Sequence, residues 1–248
     1  MQRSVKKLTG YTIHATDGDL GKVEEFYFDD QSWTIRFMVV NTGGWLGGRK
    51  VLISPHALGK PDWKSRKFPT NLSMEQVRNS PDIDTDKPVN RQYEERLYKY
   101  YSWPSYWGSG VYNGGIYGMS PLPAMMVEEF EGEQIDNQRS HEDVHLRSTK
   151  NVTGYHIQAT DGEIGHIEDF IMDDESWSIR YLVVNTRNFL PGRKVIVPPQ
   201  WINAVSWFDA KVYVSLSKDA VRSSPQYYPA KPINVDYEKQ LHSHYRML

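Results

Sequence analysis

Roughly a hundred residues of this chain occur twice, in register and without a gap. That repetition limits what the chain can fold into more than any other feature. DDQSWTIRFMVVNT at 29–42 returns as DDESWSIRYLVVNT at 173–186. The same offset of 144 residues carries Gly10-Tyr11 onto Gly154-Tyr155 and Gly48-Arg49-Lys50 onto Gly192-Arg193-Lys194. It also carries Ser80-Pro81 onto Ser224-Pro225, Lys87-Pro88 onto Lys231-Pro232 and Tyr93 onto Tyr237. The organisation expected is two similar domains, 4–101 and 148–248, with a spacer at 102–147. One pair of copies with a long spacer is a tandem duplication; the units of a solenoid are shorter and contiguous. A chain of 248 residues has room for two ordinary domains.

Each unit reads as β. Tyr11 to Ala15 is a short strand ending at the turn dipeptide Asp17-Gly18. In Lys22 to Phe28 the alternation breaks at Glu24-Glu25, which predicts a bulge. Asp29 to Ser32 is a polar turn, in which an Asp side chain is expected to bond the backbone beyond it. Trp33, Ile35, Phe37 and Val39 then alternate with Thr34, Arg36, Met38 and Val40, and the second copy keeps that parity. Period two over eight residues predicts a strand with one buried face, covered on both sides toward its end. Each unit closes in helices. Ser73 and Gln76 have capping-box spacing. Asn90 and Asn234 can each cap a helix whose apolar face is Tyr93, Leu97 and Tyr100, or Tyr237, Leu241 and Tyr245. The fold class expected is mainly β: two small antiparallel barrels, each with a short C-terminal helical tail, joined by a long irregular linker.

The pattern GYxIxATDGxxGxVExFxxDDxSWxIRxxVVNTxxxLxGRKVxxxP, met in both copies with Ile167 for Val23, resembles the PRC-barrel domain. The resemblance covers both units and is nearest to bacterial proteins with two such domains. It implies a small β-barrel used for binding and assembly, with no catalytic residues shared across the family. Two better-understood relatives are a ribosome maturation factor and the photosynthetic reaction-centre H subunit. These residues show neither the extra β domain of the first nor the membrane anchor of the second.

Bulk properties narrow the function classes. There is no cysteine, which removes disulfides and thiolate metal sites and fits a cytosolic protein. No apolar run follows the lysines of MQRSVKKLTG, so neither a secretory signal nor membrane insertion is expected. A net charge of −2 provides no basic field for nucleic acid.

The candidate chemical motifs weaken on inspection. His141-Glu142-Asp143-Val144-His145 matches the zinc-hydrolase pattern H-E-x-x-H, in which two His share one helix face. It lies in the spacer beside a polar acidic stretch, and the position of a third ligand is Asn151. Gly43 to Lys50 is glycine-rich, but Arg49 stands where a phosphate-binding loop needs its Lys, and the second copy lacks the early glycines. No His is shared between the copies, as a duplicated catalytic base would be. No enzyme activity, metal or cofactor is therefore expected.

The chain carries 16 Tyr and 8 Trp, and part of that excess sits in the spacer. The candidate interaction surface comprises Arg36 and Arg180 on the repeated strand, Trp45 and Phe189 in the repeated loop, and Trp103, Tyr106, Trp107, Tyr112 and Tyr117 in the spacer. The reading is a non-catalytic module for protein–protein interaction or self-association, its protein partner unidentified. The alternatives are a ribosome- or RNA-associated factor and a metal-dependent hydrolase using His141, Glu142 and His145.

Overall fold

The computed structural model describes residues 1–83, 89, 91–107, 145–186 and 193–246. These form two compact units. One joins Met1–Asn79 with Leu146–Leu248, and the other is Ser80–His145.

The larger unit contains the strands of both repeats, and each repeat builds one mainly antiparallel sheet, while residues 80–101 of the first repeat fall in the smaller unit. The first repeat supplies β1 (Gln2–Ser4), β2 (Thr12–His14), β3 (Asp19–Asp29), β4 (Thr34–Asn41), β5 (Lys50–Ile53) and β6 (Lys67–Pro69). The second supplies β7 (Leu146–Ser148), β8 (His156–Ala159), β9 (Gly162–Asp173), β10 (Ile179–Asn185), β11 (Lys194–Val197), β12 (Ile202–Ser206) and β13 (Lys211–Val214). The sheet orders are β5-β4-β3-β2-β6 and β11-β10-β9-β8-β13-β12. Among the described residues neither path closes on itself, so the mainly β class with helical tails is as expected, but each barrel is an open sheet.

The first strand of each repeat leaves its own sheet. β1 pairs antiparallel with β9, and β7 pairs antiparallel with β3. Gln2, Arg3 and Ser4 stand opposite Asp173, Met172 and Ile171; Leu146, Arg147 and Ser148 stand opposite Asp29, Phe28 and Tyr27. The exchange is reciprocal, and it relates the repeats by an approximate two-fold axis. On that axis Thr34 bridges Ser178. Ile35 N–H donates to Trp177 O at 2.9 Å, and Ile179 N–H donates to Trp33 O at 2.7 Å. The expected 102–147 spacer therefore ends inside a strand, because Leu146 and Arg147 belong to β7.

Local structure follows the sequence closely. The hairpin between β3 and β4 is held by Asp29, whose carboxylate accepts from Gln31 N and Ser32 N at 2.9 and 3.0 Å. Asp173 does the same for Glu175 and Ser176. Trp33 does not begin the strand as its parity suggested. It sits in the turn at φ 52°, and Trp177 at φ 58°. A non-glycine residue in this left-handed region is strained unless its surroundings hold it. Here the Trp33 ring stacks on Phe28 at 5.3 Å. The predicted bulge is present: pairing jumps from Val23–Val40 to Glu25–Val39, and the second copy jumps at the equivalent place. The capping box of Ser73 and Gln76 is formed. Asn234 caps the helix Val235–Arg246 through Tyr237 N at 2.9 Å.

The core runs through both repeats. Phe26, Phe28, Phe37, Phe68 and Phe170 are all at 0% exposure. Phe28 meets Phe170 at 5.5 Å and Phe68 meets Trp177 at 5.9 Å, so aromatic packing crosses from one repeat to the other. Gly21 and Gly165 mark the tightest approach of backbone to backbone. A Cβ on Gly21 (φ 149°) would lie 2.1 Å from Asn41 O, and one on Gly165 2.2 Å from Asn185 O.

Two outcomes are expected. Gly21→Ala loses about 2–4 kcal/mol in urea unfolding, the scale of backbone strain with a close contact; a loss indistinguishable from zero would contradict this packing. When a protease site inserted between residues 108 and 144 is cut in the full chain, the two pieces co-elute on size exclusion, because each sheet includes a strand from the other repeat. Pieces that separate under native conditions would count against the exchange.

Candidate interaction surfaces

The exchanged strands carry a duplicated set of polar contacts. Ser4 caps the short helix Val5–Leu8 by accepting from Lys7 N, and its hydroxyl donates to Asp169 at 2.5 Å. Ser148 caps the helix Thr149–Val152 through Asn151 N, and its hydroxyl donates to Glu25. Arg3 donates to Asp174 at 2.8 Å, and Arg147 pairs with Asp30. Lys6 N–H donates to Asp169 at 3.0 Å, and Phe26 N–H donates to Thr149 Oγ1 at 3.1 Å. Apart from the two serine caps, every one of these bonds joins one repeat to the other. Arg3-Ser4 and Arg147-Ser148 recur at the common offset, so a trace of the exchange was present in the sequence.

The other repeated polar residues close the loops. Asn41 donates to Glu24 at 3.3 Å, and Asn185 donates to Glu168 at 3.0 Å. Lys50 pairs with Glu24 at 2.8 Å, and Lys194 pairs with Glu168. Thr42 donates to Arg49 O at 2.6 Å, and Thr186 donates to Arg193 O at 3.1 Å. Two copies of one network, each knitting a strand end to its loop, explain why these side chains repeat.

Arg36 and Arg180 have diverged. Arg36 is half-buried, lies 3.6 Å from Asp29 and donates to Ser32 Oγ at 3.1 Å. Arg180 is exposed, and its positive charge acts on the neighbouring Tyr181. Burial, with Glu238 beside it, pushes the Tyr181 phenol up to about 12. Trp45 sits in a single 3-10 turn, Gly43–Leu46, and its indole N–H donates to Leu20 O at 2.7 Å. Gly43, Gly47 and Gly48 all have positive φ, which accounts for the glycines without a phosphate. Phe189, which stands in the second repeat where the first has Trp45, lies outside the described residues, as do Tyr112, Tyr117, His141 and Glu142.

The unit Ser80–His145 brings together the other aromatic candidates. Tyr98, on the helix Arg91–Tyr101, meets Trp103, Tyr106 and Trp107 with centroids 5.6, 5.9 and 4.8 Å away. The Arg91 guanidinium lies over Tyr106 and Trp107 at 5.3 and 4.7 Å. Glu94 is fully buried and accepts from Tyr106 Oη at 2.5 Å. His145 Nε2 lies 3.4 Å from Glu94, 3.0 Å from Arg91 and 3.1 Å from Tyr106. His145 thus belongs to a buried hydrogen-bonded cluster. Among the described residues no group of three or more His, Asp or Glu is arranged to hold a metal ion. No helix of the described residues is long and apolar enough to cross a membrane.

Two surface features of the second repeat escaped the sequence reading. β12 is the last strand of its sheet, and Phe208 on the β12–β13 turn is 99% exposed. Setting 58–64 against 202–208 position by position could have found them, because the charges of the first repeat are missing from the second.

Asp169 gives the exchanged joint a pH dependence. Burial pushes its carboxyl above the usual range, against hydrogen bonds from Ser4, Lys6 and Phe170 that favour the charged form. A raised native pKa contributes stability that is complete below the unfolded pKa and is lost as pH rises through the native one. Glu24 runs the other way: its hydrogen bond from Lys50 holds it low, so its contribution is lost as pH falls. Asp169→Asn should therefore abolish a decline in stability just above the ordinary carboxylate range. Urea unfolding of both proteins from about pH 4 to about pH 7 measures this; parallel curves would refute it.

The PRC-barrel domain profile matches residues 2–65 and again residues 148–221. No curated protein matches the chain.

Proposed function

Since the chain belongs to the PRC-barrel domain family, matched in both repeats, we propose that it is a non-catalytic binding and assembly module acting through protein–protein interaction or self-association. The observation that carries this reading is the reciprocal strand exchange. Main-chain pairing at a sheet edge is a general means of joining protein segments, and this fold already uses it twice within itself. The repeated polar residues support the same reading. They are spent on turns, loop closure and the joint between repeats, and so are not convergent groups around a substrate. The absence of cysteine fits a cytosolic setting.

Affinity capture of the tagged chain from its native cell, read by mass spectrometry beside light scattering of the purified protein, tests this. A recurrent protein partner or a defined oligomer is expected. A strict monomer that captures no protein would overturn the proposal. Co-sedimentation with ribosomal particles that weakens with salt would favour the RNA-associated alternative instead.

A further inference from the structure

The duplication gives the second repeat an internal control. In the first repeat the segment running beside β6 is Leu58-Gly59-Lys60-Pro61-Asp62, held by the two bridges Leu58–Thr70 and Asp62–Lys67. Lys60 and Pro61 there are what a protein uses to stop a sheet edge from pairing further: a charge resists desolvation, and Pro lacks the N–H a new strand would need; Asp62 serves the turn, accepting from Lys64 N and Ser65 N. The equivalent positions in the second repeat are Ile202-Asn203-Ala204-Val205-Ser206, with neither a charge nor a proline, and they form the strand β12, whose pairing with β13 shifts register between Ile202 and Ala204. β12 pairs with β13 along one edge, and no strand among the described residues pairs with its other edge. The turn that follows has changed in the same sense. Trp63-Lys64 has become Trp207-Phe208. Trp207 is 36% exposed and Phe208 is 99% exposed. The edge that carries Lys60 and Pro61 in one repeat thus carries neither a charge nor a proline in the other, beside an exposed aromatic ring.

We infer that β12 is a homodimerisation edge, which pairs antiparallel with β12 of a second copy of this chain; the inference rests on the assembly reading above and names its surface. A second copy is the occupant the strand itself favours. An open edge is self-complementary under a two-fold axis, and the absence of charge along 202–206 removes like-charge repulsion between two identical strands. Pairing centred on Ala204 sets Ile202 against Ser206 and Asn203 against Val205 of the other copy, with no charge opposed at any position. It also carries the Phe208 turn toward Pro199 and Gln200 of that copy. Those two residues line a groove of about 550 Å³ with Trp33, Asp30 and Arg147. The groove continues into the exchanged joint, where Arg147 and Asp30 are already paired.

The test uses the full chain and two variants that install the residue of the first repeat, Ala204→Lys and Phe208→Lys. Ala204 is exposed, and Phe208 lies outside the sheet, so both variants should fold; circular dichroism checks this. In light scattering over a concentration series the parent should form a dimer, and each variant should dissociate with a Kd raised at least about tenfold. A parent that dimerises while neither variant changes its Kd overturns the β12 edge and leaves the assembly reading standing. A parent that stays monomeric up to about 0.1 mM overturns the edge as well, and partner capture then decides the broader reading. If one variant fails to fold, the other carries the decision.

Discussion

Everything in the larger unit depends on two three-residue strands that sit in each other's sheets. β1 and β7 contribute little area of their own, but each places a capping serine against a carboxylate of the opposite repeat, Ser4 on Asp169 and Ser148 on Glu25. Each also places an arginine beside an aspartate of that repeat. A buried carboxylate is costly to desolvate unless bonded. The exchange supplies those bonds from across the pseudo-two-fold axis, so neither repeat satisfies its own bulge carboxylate with its own first strand. Aromatic contact between Phe28 and Phe170, and between Phe68 and Trp177, fills the space between the sheets. The two repeats therefore share one core although they come from two stretches of chain.

Duplication separates what the fold requires from what each copy is free to change. The carboxylate turn, the Asn-to-Glu bond, the Lys-to-Glu pair and the Thr that closes the loop occur in both copies with the same partners. Their recurrence within the molecule is architectural. Arg36 and Arg180 share a letter and not an environment: one is held beside Asp29, the other faces solvent. The edge segments share their end pairings, Leu58–Thr70 with Ile202–Val214 and Asp62–Lys67 with Ser206–Lys211, but not their letters, since Lys60-Pro61-Asp62 stands where β12 has Ala204-Val205-Ser206. Divergence falls on exposed loops and edges while the interior networks are kept, as expected where packing does not hold a residue in place.

The smaller unit has its own logic. Tyr98 collects Trp103, Tyr106 and Trp107 around one helix, and Arg91 covers two of those rings. The aromatic excess in this part of the sequence thus has a local use in packing, alongside any use in recognition. His145, which closes the zinc-hydrolase pattern on paper, stands with Glu94, Tyr106 and Arg91, so spacing along the chain was a poor guide to its partners.

The sequence by itself determined the number of repeats, the period-two strands, the bulge at Glu24-Glu25, the aspartate turns and the caps at Ser73 and Asn234. Apart from the repeat itself, which shows as identity at a fixed offset, those features are local: each depends on residues within a few positions of one another, and side-chain chemistry labels them. Trp33 was misplaced by one residue, because alternation cannot register a backbone that turns left-handed just before the strand begins. Only the tertiary structure decided which sheet each first strand joins, and that the sheets stay open. Backbone hydrogen bonds look the same from any strand, and three residues are too few to specify a partner. The choice between an edge nearby in sequence and one about 170 positions away falls to the aromatic core and the serine–carboxylate pairs, which exist only once the two repeats have come together.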